Sequence, residues 1–420
     1  MVSHRVCYLM IRAVTWPVRF LPYSVIHKLG SYLGRIAYYA LPKFRKRTLS
    51  NLSLATSLVM TQQERVKIAK ASFENLMITC LEYAKFDAEK NIEQIATCDN
   101  PELADQLMKE GKPVIFFCGH QANWEVLFLE GTRRMPGVAI GRPIKNELLY
   151  QWVLGIRQKY GGKIITPSQA IKEGLRGLKR GAFLGIVGDQ GRPDSGYCSP
   201  FFGRTAWTSP IAAILAYRTG SPIMVAMTRR VEGKYRIRYS DPIWPNLEAP
   251  LQAEVDRMMR EALGILEKSI RDIPEQWLWA HNRWKQQTLD KVKRTFRQEC
   301  LCIMMPQEQT AFEMIREALP TFREIYPLEF ITLFVPKEFA HLPLLDDVEV
   351  RTYSEFKELL VFEDQFKLVY NFSGYKPVKK HFMGLCAVKV IDLQELKKLS
   401  GLTADQPFGS HLKGAVCHAS

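Results

Sequence analysis

At 420 residues, 47% of them hydrophobic and 24% charged, the chain has the make-up of a folded protein of two or three domains, which excludes global disorder. Lysine and arginine number 58 against 43 acids, and the net charge of +15 points to an anionic partner: nucleic acid, a phospholipid surface or an acidic carrier protein. Nine cysteines without a CxxC pair argue against a disulfide framework or a zinc site and fit reduced thiols in a cytoplasmic compartment, and no phosphate-binding glycine loop occurs.

Residues 6–41 are rich in Leu, Ile, Val, Tyr and Trp, but Arg12, Arg19, Lys28 and Arg35 interrupt them. No stretch reaches the roughly 18–20 apolar residues of a membrane span. Trp16, Pro17, Pro22 and Gly30 break the segment into short amphipathic helices, followed by the basic cluster Lys43, Arg45, Lys46 and Arg47. Apolar faces with a polybasic flank read as attachment to an anionic membrane surface, with ordinary core helices as the alternative. Residues 61–98 carry a helical pattern in which Phe73, Leu76, Met77 and Leu81 recur.

The texture then changes. The apolar runs 113–118, 138–140, 183–187 and 222–227 are expected as buried parallel strands. Helical stretches lie between them at 123–129, 147–160, 168–179 and 210–218. This alternation predicts an α/β fold, a largely parallel sheet flanked by helices. Past about Glu299 a second α/β texture begins, with a helix over 312–322 and strands at 330–335, 348–350, 367–370 and 387–390. The pair Cys300 and Cys302 reads as ordinary strand or helix residues. The expected organisation is therefore membrane-associating helices over 1–50, a catalytic domain over 51–299 and a small α/β extension of unassigned role over 300–420.

Within Gly119-His120-Gln121-Ala122-Asn123-Trp124-Glu125, His120 stands two residues past a buried strand, and in open α/β sheets ligands gather beyond the carboxyl ends of strands. Glu125 lies about one helical turn further on, from where its carboxylate can reach back to the imidazole. A carboxylate on one ring nitrogen leaves the other free to act as a base. Taken alone, this His-x4-Glu pair is more simply a loop histidine beside an unrelated glutamate. Arg142 follows the strand at 138–140 and Asp189 the strand at 183–187, so three strand ends bring polar groups toward one edge of the sheet. An arginine there suits a phosphate or an oxyanion, and Asp189 suits holding that arginine or orienting the substrate. Either one is as readily a surface or turn residue. Cys118, at the end of an apolar strand, reads as a buried inert thiol.

These residues resemble the HxxNWE signature of the bacterial lipid A late (secondary) acyltransferases of lauroyl/myristoyl type. Gly141-Arg142-Pro143, Asp189-Gln190, the run Pro200-Phe201-Phe202-Gly203-Arg204, the block 215–222 and the block 274–285 match further motifs in the family's order. The resemblance covers about residues 1–290. It implies a glycerolipid acyltransferase-like fold and transfer of a fatty acyl chain from an acyl carrier protein thioester, a co-substrate, to a hydroxyl of a Kdo-lipid IVA-type lipid A precursor. No cofactor, metal or covalent enzyme intermediate is implied. The implied roles are His120 as general base, Glu125 as its orienting acid, and Arg142, Asp189, Asn123 and Arg204 at the substrate. His281, among Trp277, Trp279 and Trp284, is expected to pack or position substrate.

The partners implied are acyl carrier protein, the lipid A precursor and the bacterial inner membrane, on whose cytoplasmic face the chain would be N-terminally attached. One basic surface would then serve both anionic substrates, drawn from Arg157, Lys159, Lys163, Lys172, Arg176, Lys179 and Arg180. Two other classes stand beside this reading: acylation of another glycolipid, such as a phosphatidylinositol mannoside, and a non-enzymatic basic membrane-binding protein. Nucleic acid is disfavoured, because the aromatics near basic residues fall in apolar helices and in no recognition motif. The segment past 299 resembles, weakly, half of a two-lobed glycosyltransferase without a sugar-nucleotide motif. A binding or docking module is the expectation there.

Overall fold

A computed structural model describes residues 4–403 and 405–418. The chain forms two compact units: one gathers the segment up to Pro42 with Val66–Arg283, the other Lys43–Arg65 with the chain from Trp284 on. The chain thus passes for the last time from the first unit to the second after residue 283, where a boundary at 299 was expected, and the basic cluster expected to flank a lipid surface belongs to the second.

In the first unit the strands are β1 (Ala96–Cys98), β2 (Ile115–Cys118), β3 (Gly137–Ile140), β4 (Lys163–Ile165), β5 (Phe183–Val187), β6 (Cys198–Phe201), β7 (Arg204–Trp207), β8 (Ile223–Val231) and β9 (Lys234–Tyr239). A seven-stranded sheet runs β1-β9-β8-β2-β5-β3-β4, with β6 and β7 as a separate hairpin. Within that sheet only β8 and β9 pair antiparallel. β2 is central and buried along its whole length, which is why its sequence is a continuous apolar run without alternation. β9, which pairs with the short edge strand β1, alternates exposed Lys and Arg with buried Tyr and Ile.

The helices up to residue 283 are α1 (His4–Thr15), α2 (Tyr23–Ala40), α3 (Pro42–Leu54), which falls in the second unit from Lys43 on, α4 (Gln62–Ala88), α5 (Glu102–Lys109), α6 (Glu125–Arg134), α7 (Glu147–Arg157), α8 (Ala170–Lys179), α9 (Ile211–Thr219) and α10 (Leu251–Asp272). Successive residues of β5 face opposite sides of the sheet: Phe183 meets Gly131 of α6, and Leu184 meets Gly174 of α8. Among the described residues no helix is long and apolar enough to cross a membrane. Gly30, expected to break a helix, instead lies inside α2. A Cβ there would sit 2.6 Å from Ile78 Cγ1, and one on Gly34 would sit 2.3 Å from Glu74 Cα, so both glycines let α2 lie directly on α4.

The second unit holds β10 (Cys300–Met304), β11 (Phe330–Pro336), β12 (Glu349–Tyr353), β13 (Leu368–Asn371) and β14 (Lys389–Asp392), all parallel in the order β12-β11-β10-β13-β14. With α11 (Gln309–Glu317), α12 (Leu319–Ile325), α13 (Pro377–Gly384), α14 (Leu393–Ser400) and α15 (Phe408–Val416), this is a doubly wound 3-2-1-4-5 arrangement, one strand short of the six-stranded dinucleotide-binding order. Cys300 and Cys302 lie on its buried central strand. The first helix after that strand would ordinarily offer its amino end to a phosphate. Here Glu308 fills the place, accepting from Thr310 N at 2.9 Å and Ala311 N at 2.6 Å. Lys46 of α3 donates to the carbonyls of Met383 and Ala387 at the end of α13, at 3.1 and 3.2 Å, the usual use of a lysine at a helix C-terminus.

Candidate active site

The sheet register builds the site. Cys118 of β2 pairs with Val187 of the neighbouring β5, so two residues past each strand His120 and Asp189 arrive side by side. His120 Nδ1 lies 2.6 Å from Asp189 Oδ1, while Asp189 Oδ2 accepts from the His120 backbone N–H and from Trp277 Nε1, both at 2.7 Å. Burial would raise the Asp189 carboxyl, but the charge of His120 and these hydrogen bonds outweigh it and hold the group at about 2. An ionised carboxylate only accepts, so Nδ1 carries a proton, and in the neutral form of the ring Nε2 is the lone-pair nitrogen. Gln190 Nε2 stands 3.2 Å from that Nε2, and the Trp124 ring sits edge-on to the imidazole with centroids 4.6 Å apart.

Glu125 opens α6 but does not hold the imidazole. Burial would raise its carboxyl, yet Arg157 and Tyr83 reverse that and lower it. Arg157 Nε and Nη2 bind its two oxygens at 2.8 and 2.6 Å, and Tyr83 and Trp124 Nε1 donate to Oε1. The acid expected at His120 from the spacing is therefore replaced by Asp189 from another strand. Glu125 instead fixes a guanidinium that had been expected on a solvent face.

Helix α4 carries an inward polar stripe that clamps the motif loop. Ser72 donates to the Trp277 carbonyl at 2.7 Å, and Asn75 and Thr79 each donate to the Ala122 carbonyl at 3.2 Å. Ala122 has φ of 49°, a left-handed value that costs a non-glycine residue about 1–3 kcal/mol. Those bonds, with Ala122 N to the Gln276 carbonyl at 2.6 Å, hold it there. Fully buried Glu82 accepts from Asn123 Nδ2 at 2.7 Å and Tyr235 at 2.6 Å and pairs with His27 of α2 at 2.7 Å.

A cavity of about 450 Å³ opens at this edge of the sheet, lined by His120, Trp124, Glu125, Arg142, Arg157, Gln190 and Arg192 among others. A narrower apolar pocket of about 50 Å³ shares Trp124, Phe128, Ala139, Ile186 and Val187 with it. Arg142 thus reaches the cavity, and Asp189 stands behind His120 instead of holding Arg142 or facing substrate. Asn123 is fully buried, with its amide spent on Glu82 and on the Glu125 N–H, so it does not reach the cavity. Arg204 lies on the β7 strand of the hairpin, and neither it nor His281 is among the residues lining the cavity.

Tyr83, Trp277, Gln190 and Arg192 had not been singled out for the site. Gln190 and Arg192 were recoverable, since both follow Asp189 in one loop. The Cys118 thiol is pushed far up by burial and by the nearby Asp189 and Glu125, as befits an inert thiol. The expected basic face is largely matched internally: Lys159 donates to the carbonyls of Phe86, Asp87 and Glu89, and Lys163 and Arg176 both pair with Glu173.

A doubly wound sheet with a carboxylate-held histidine over a cavity at its carboxyl edge defines a site suited to proton transfer at a bound substrate. The chain belongs to the bacterial lipid A biosynthesis acyltransferase family, whose profile matches residues 2–286 and so ends within three residues of the last boundary between the two units. It is similar to the lipid A biosynthesis lauroyltransferase of Escherichia coli K12, 26% identical over 277 residues that cover 65% of this chain and 89% of that one. The lipid A biosynthesis palmitoleoyltransferase of the same strain is 25% identical over 285 residues, covering 65% and 89%. A lipid A biosynthesis acyltransferase of Haemophilus influenzae is 26% identical over 273 residues, covering 62% and 81%.

Proposed function

We propose that the protein moves a fatty acyl chain from an acyl carrier protein thioester to a hydroxyl of a Kdo-lipid IVA-type lipid A precursor, with His120 as general base. The observation that carries this reading is the bond from His120 Nδ1 to Asp189, which leaves Nε2 basic on the cavity wall. Nε2 takes the acceptor hydroxyl's proton as the oxygen attacks the thioester carbonyl, and the imidazolium returns it to the departing thiolate. Asp189 stabilises the imidazolium, a combination worth roughly 10²–10⁴ in rate for the proton transfer. Glu125 keeps Arg157 in place, a fixed positive charge for the developing oxyanion. The adjoining apolar pocket supports a seat for hydrocarbon.

Attachment of the N-terminal helices to the cytoplasmic face of the inner membrane belongs to the same proposal. Val6, Leu9, Met10 and Val14 of α1, with Trp16 and Phe20 beyond it, are 47–71% exposed, and an outward apolar face of that kind suits the headgroup boundary of a bilayer.

The test is acyl transfer from acyl carrier protein to Kdo-lipid IVA, with mass spectrometry of the product. Wild type should add one chain and His120→Ala should lose at least about a thousandfold in rate. Equal rates would end the catalytic assignment. A phospholipid or a different glycolipid acylated in its place, with the lipid A precursor untouched, would overturn the acceptor.

A further inference from the structure

The cavity carries more positive charge than the proton chemistry uses. Its ionisable walls besides His120 are Glu125, Arg142, Arg157 and Arg192. Arg157, held by Glu125 through two hydrogen bonds, is already assigned above to the developing oxyanion. Asp189, behind His120, is committed to His120 and Trp277. Arg142 and Arg192 remain, and among the described residues neither side chain has an ion pair or hydrogen bond. Two solvated guanidiniums lining one cavity repel each other, and an anion that reaches both relieves that repulsion.

Both are exposed, and the main chain at Arg192 is held in place. Arg142 leaves β3 two residues past its end, on the strand beside β5. Arg192 belongs to the loop after β5, where its N–H donates to the Trp207 carbonyl at 3.2 Å and its carbonyl accepts from Ser195 N at 2.9 Å and Ser195 Oγ at 2.6 Å. The preceding Gly191 lies so close to the main chain of Asn282 and Arg283 that a Cβ would sit 2.6 Å from the Arg283 carbonyl oxygen. Buried Arg283 in turn binds the Trp207 carbonyl and Thr208 Oγ1, each at 2.7 Å. The loop is thus locked from below while its one long cationic side chain stands in the cavity.

We propose that Arg142 and Arg192 together seat a phosphate ester of a substrate, a subsite separate from the His120–Asp189 pair. This rests on the acyl-transfer reading above, in which two phosphates come into question: a sugar phosphate of the glycolipid acceptor and the phosphodiester that joins pantetheine to acyl carrier protein. Both present the same tetrahedral anion, which two arginine forks can grip.

The test separates the two sources and separates the subsite from the reaction. With the full chain, Arg142→Ala and Arg192→Ala should each raise one KM by about ten- to a hundredfold while kcat changes less than about threefold, and Arg192→Lys should restore part of the loss. A raised KM for the glycolipid, vanishing when the acceptor lacks its phosphates, assigns the sugar phosphate. A raised KM for acyl carrier protein alone assigns the phosphodiester. Binding of glucosamine 1-phosphate and of pantetheine 4′-phosphate, followed by ³¹P line broadening, provides a readout without turnover. Binding of either that is lost in Arg142→Ala/Arg192→Ala, in a wild type that transfers no acyl chain, keeps the subsite and removes the acyl-transfer reading. Both KM values and both binding signals within twofold of wild type in the double variant would overturn the subsite.

Discussion

Asp189 holds His120 twice, once at the ring Nδ1 at 2.6 Å and once at the backbone N–H at 2.7 Å. The same carboxylate therefore fixes both the tautomer and the position of the imidazole. Asp189→Asn keeps the shape but can present its N–H₂ to Nδ1 and stabilise the wrong tautomer. It should lower kcat about 10³–10⁴-fold with KM nearly unchanged, measured in steady-state acyl transfer. A loss below tenfold would show that another group orients the ring.

The same carboxyl sets a pH dependence of stability. It is held at about 2 in the fold against roughly 3.9 unfolded, so its contribution of about 2–3 kcal/mol is fully present above pH ~4 and is lost as pH falls toward ~2. Urea melts should show wild type more stable than Asp189→Asn at pH 6. That gap should close between pH 4 and 2. A gap independent of pH would contradict the assignment.

Arg157→Met would leave the buried Glu125 carboxylate with Tyr83 and Trp124 as its side-chain donors. Stranding a buried charge costs about 3–5 kcal/mol, and pairing the change with Glu125→Gln should recover much of it, read by denaturant midpoints. Failure of the double variant to recover stability would mean that Arg157 contributes through packing.

In the second unit Lys367 and Glu299 form an ion pair with both side chains less than 8% exposed. Lys367→Met alone should destabilise by about 3–5 kcal/mol, whereas Lys367→Met/Glu299→Leu should lie near wild type. Equal melting temperatures for the single and double variants would rule out the charge as the cause.

Gly34→Leu should lift α2 off α4, because its side chain would enter the Glu74 backbone. Overpacking of this sort costs about 1–3 kcal/mol or more, and limited proteolysis should cut within 23–40 well before the remainder of the chain. Unchanged cleavage would show that α2 shifts along α4 without loss.

Much of the first unit was legible in the sequence. β2, β3, β5 and β8 announce themselves as apolar runs because a central parallel strand is covered on both faces. His120 and Arg142 were visible as polar residues placed just past such runs. The pairing of His120 with Asp189 was not, since it depends on which strands are neighbours, and the sheet order sets β5 beside β2 ahead of β3. Spacing along one helix suggested Glu125 for a place that a residue 69 positions away fills. The stripe Ser72, Asn75, Thr79 and Glu82 was hidden for a related reason: the apolar pattern around Phe73 and Leu81 marks the helix, but polar side chains buried against a loop look like a solvated face. β10 was missed because Cys300-Leu301-Cys302 suits strand and helix alike. The membership of Lys43–Arg65 in the second unit is a long-range choice that no local pattern encodes.

The pairing of Cys118 with Val187 makes the acid and the base passengers of two neighbouring strands, each carried the same two steps beyond its end. Removing one residue after either strand would turn one partner away and draw it back by about 3.3 Å, far more than a 2.6 Å hydrogen bond tolerates. The proton-handling pair is therefore kept by counting as much as by chemistry. Its alignment can survive wide drift in the surrounding sequence, provided no deletion or insertion falls in those two short steps.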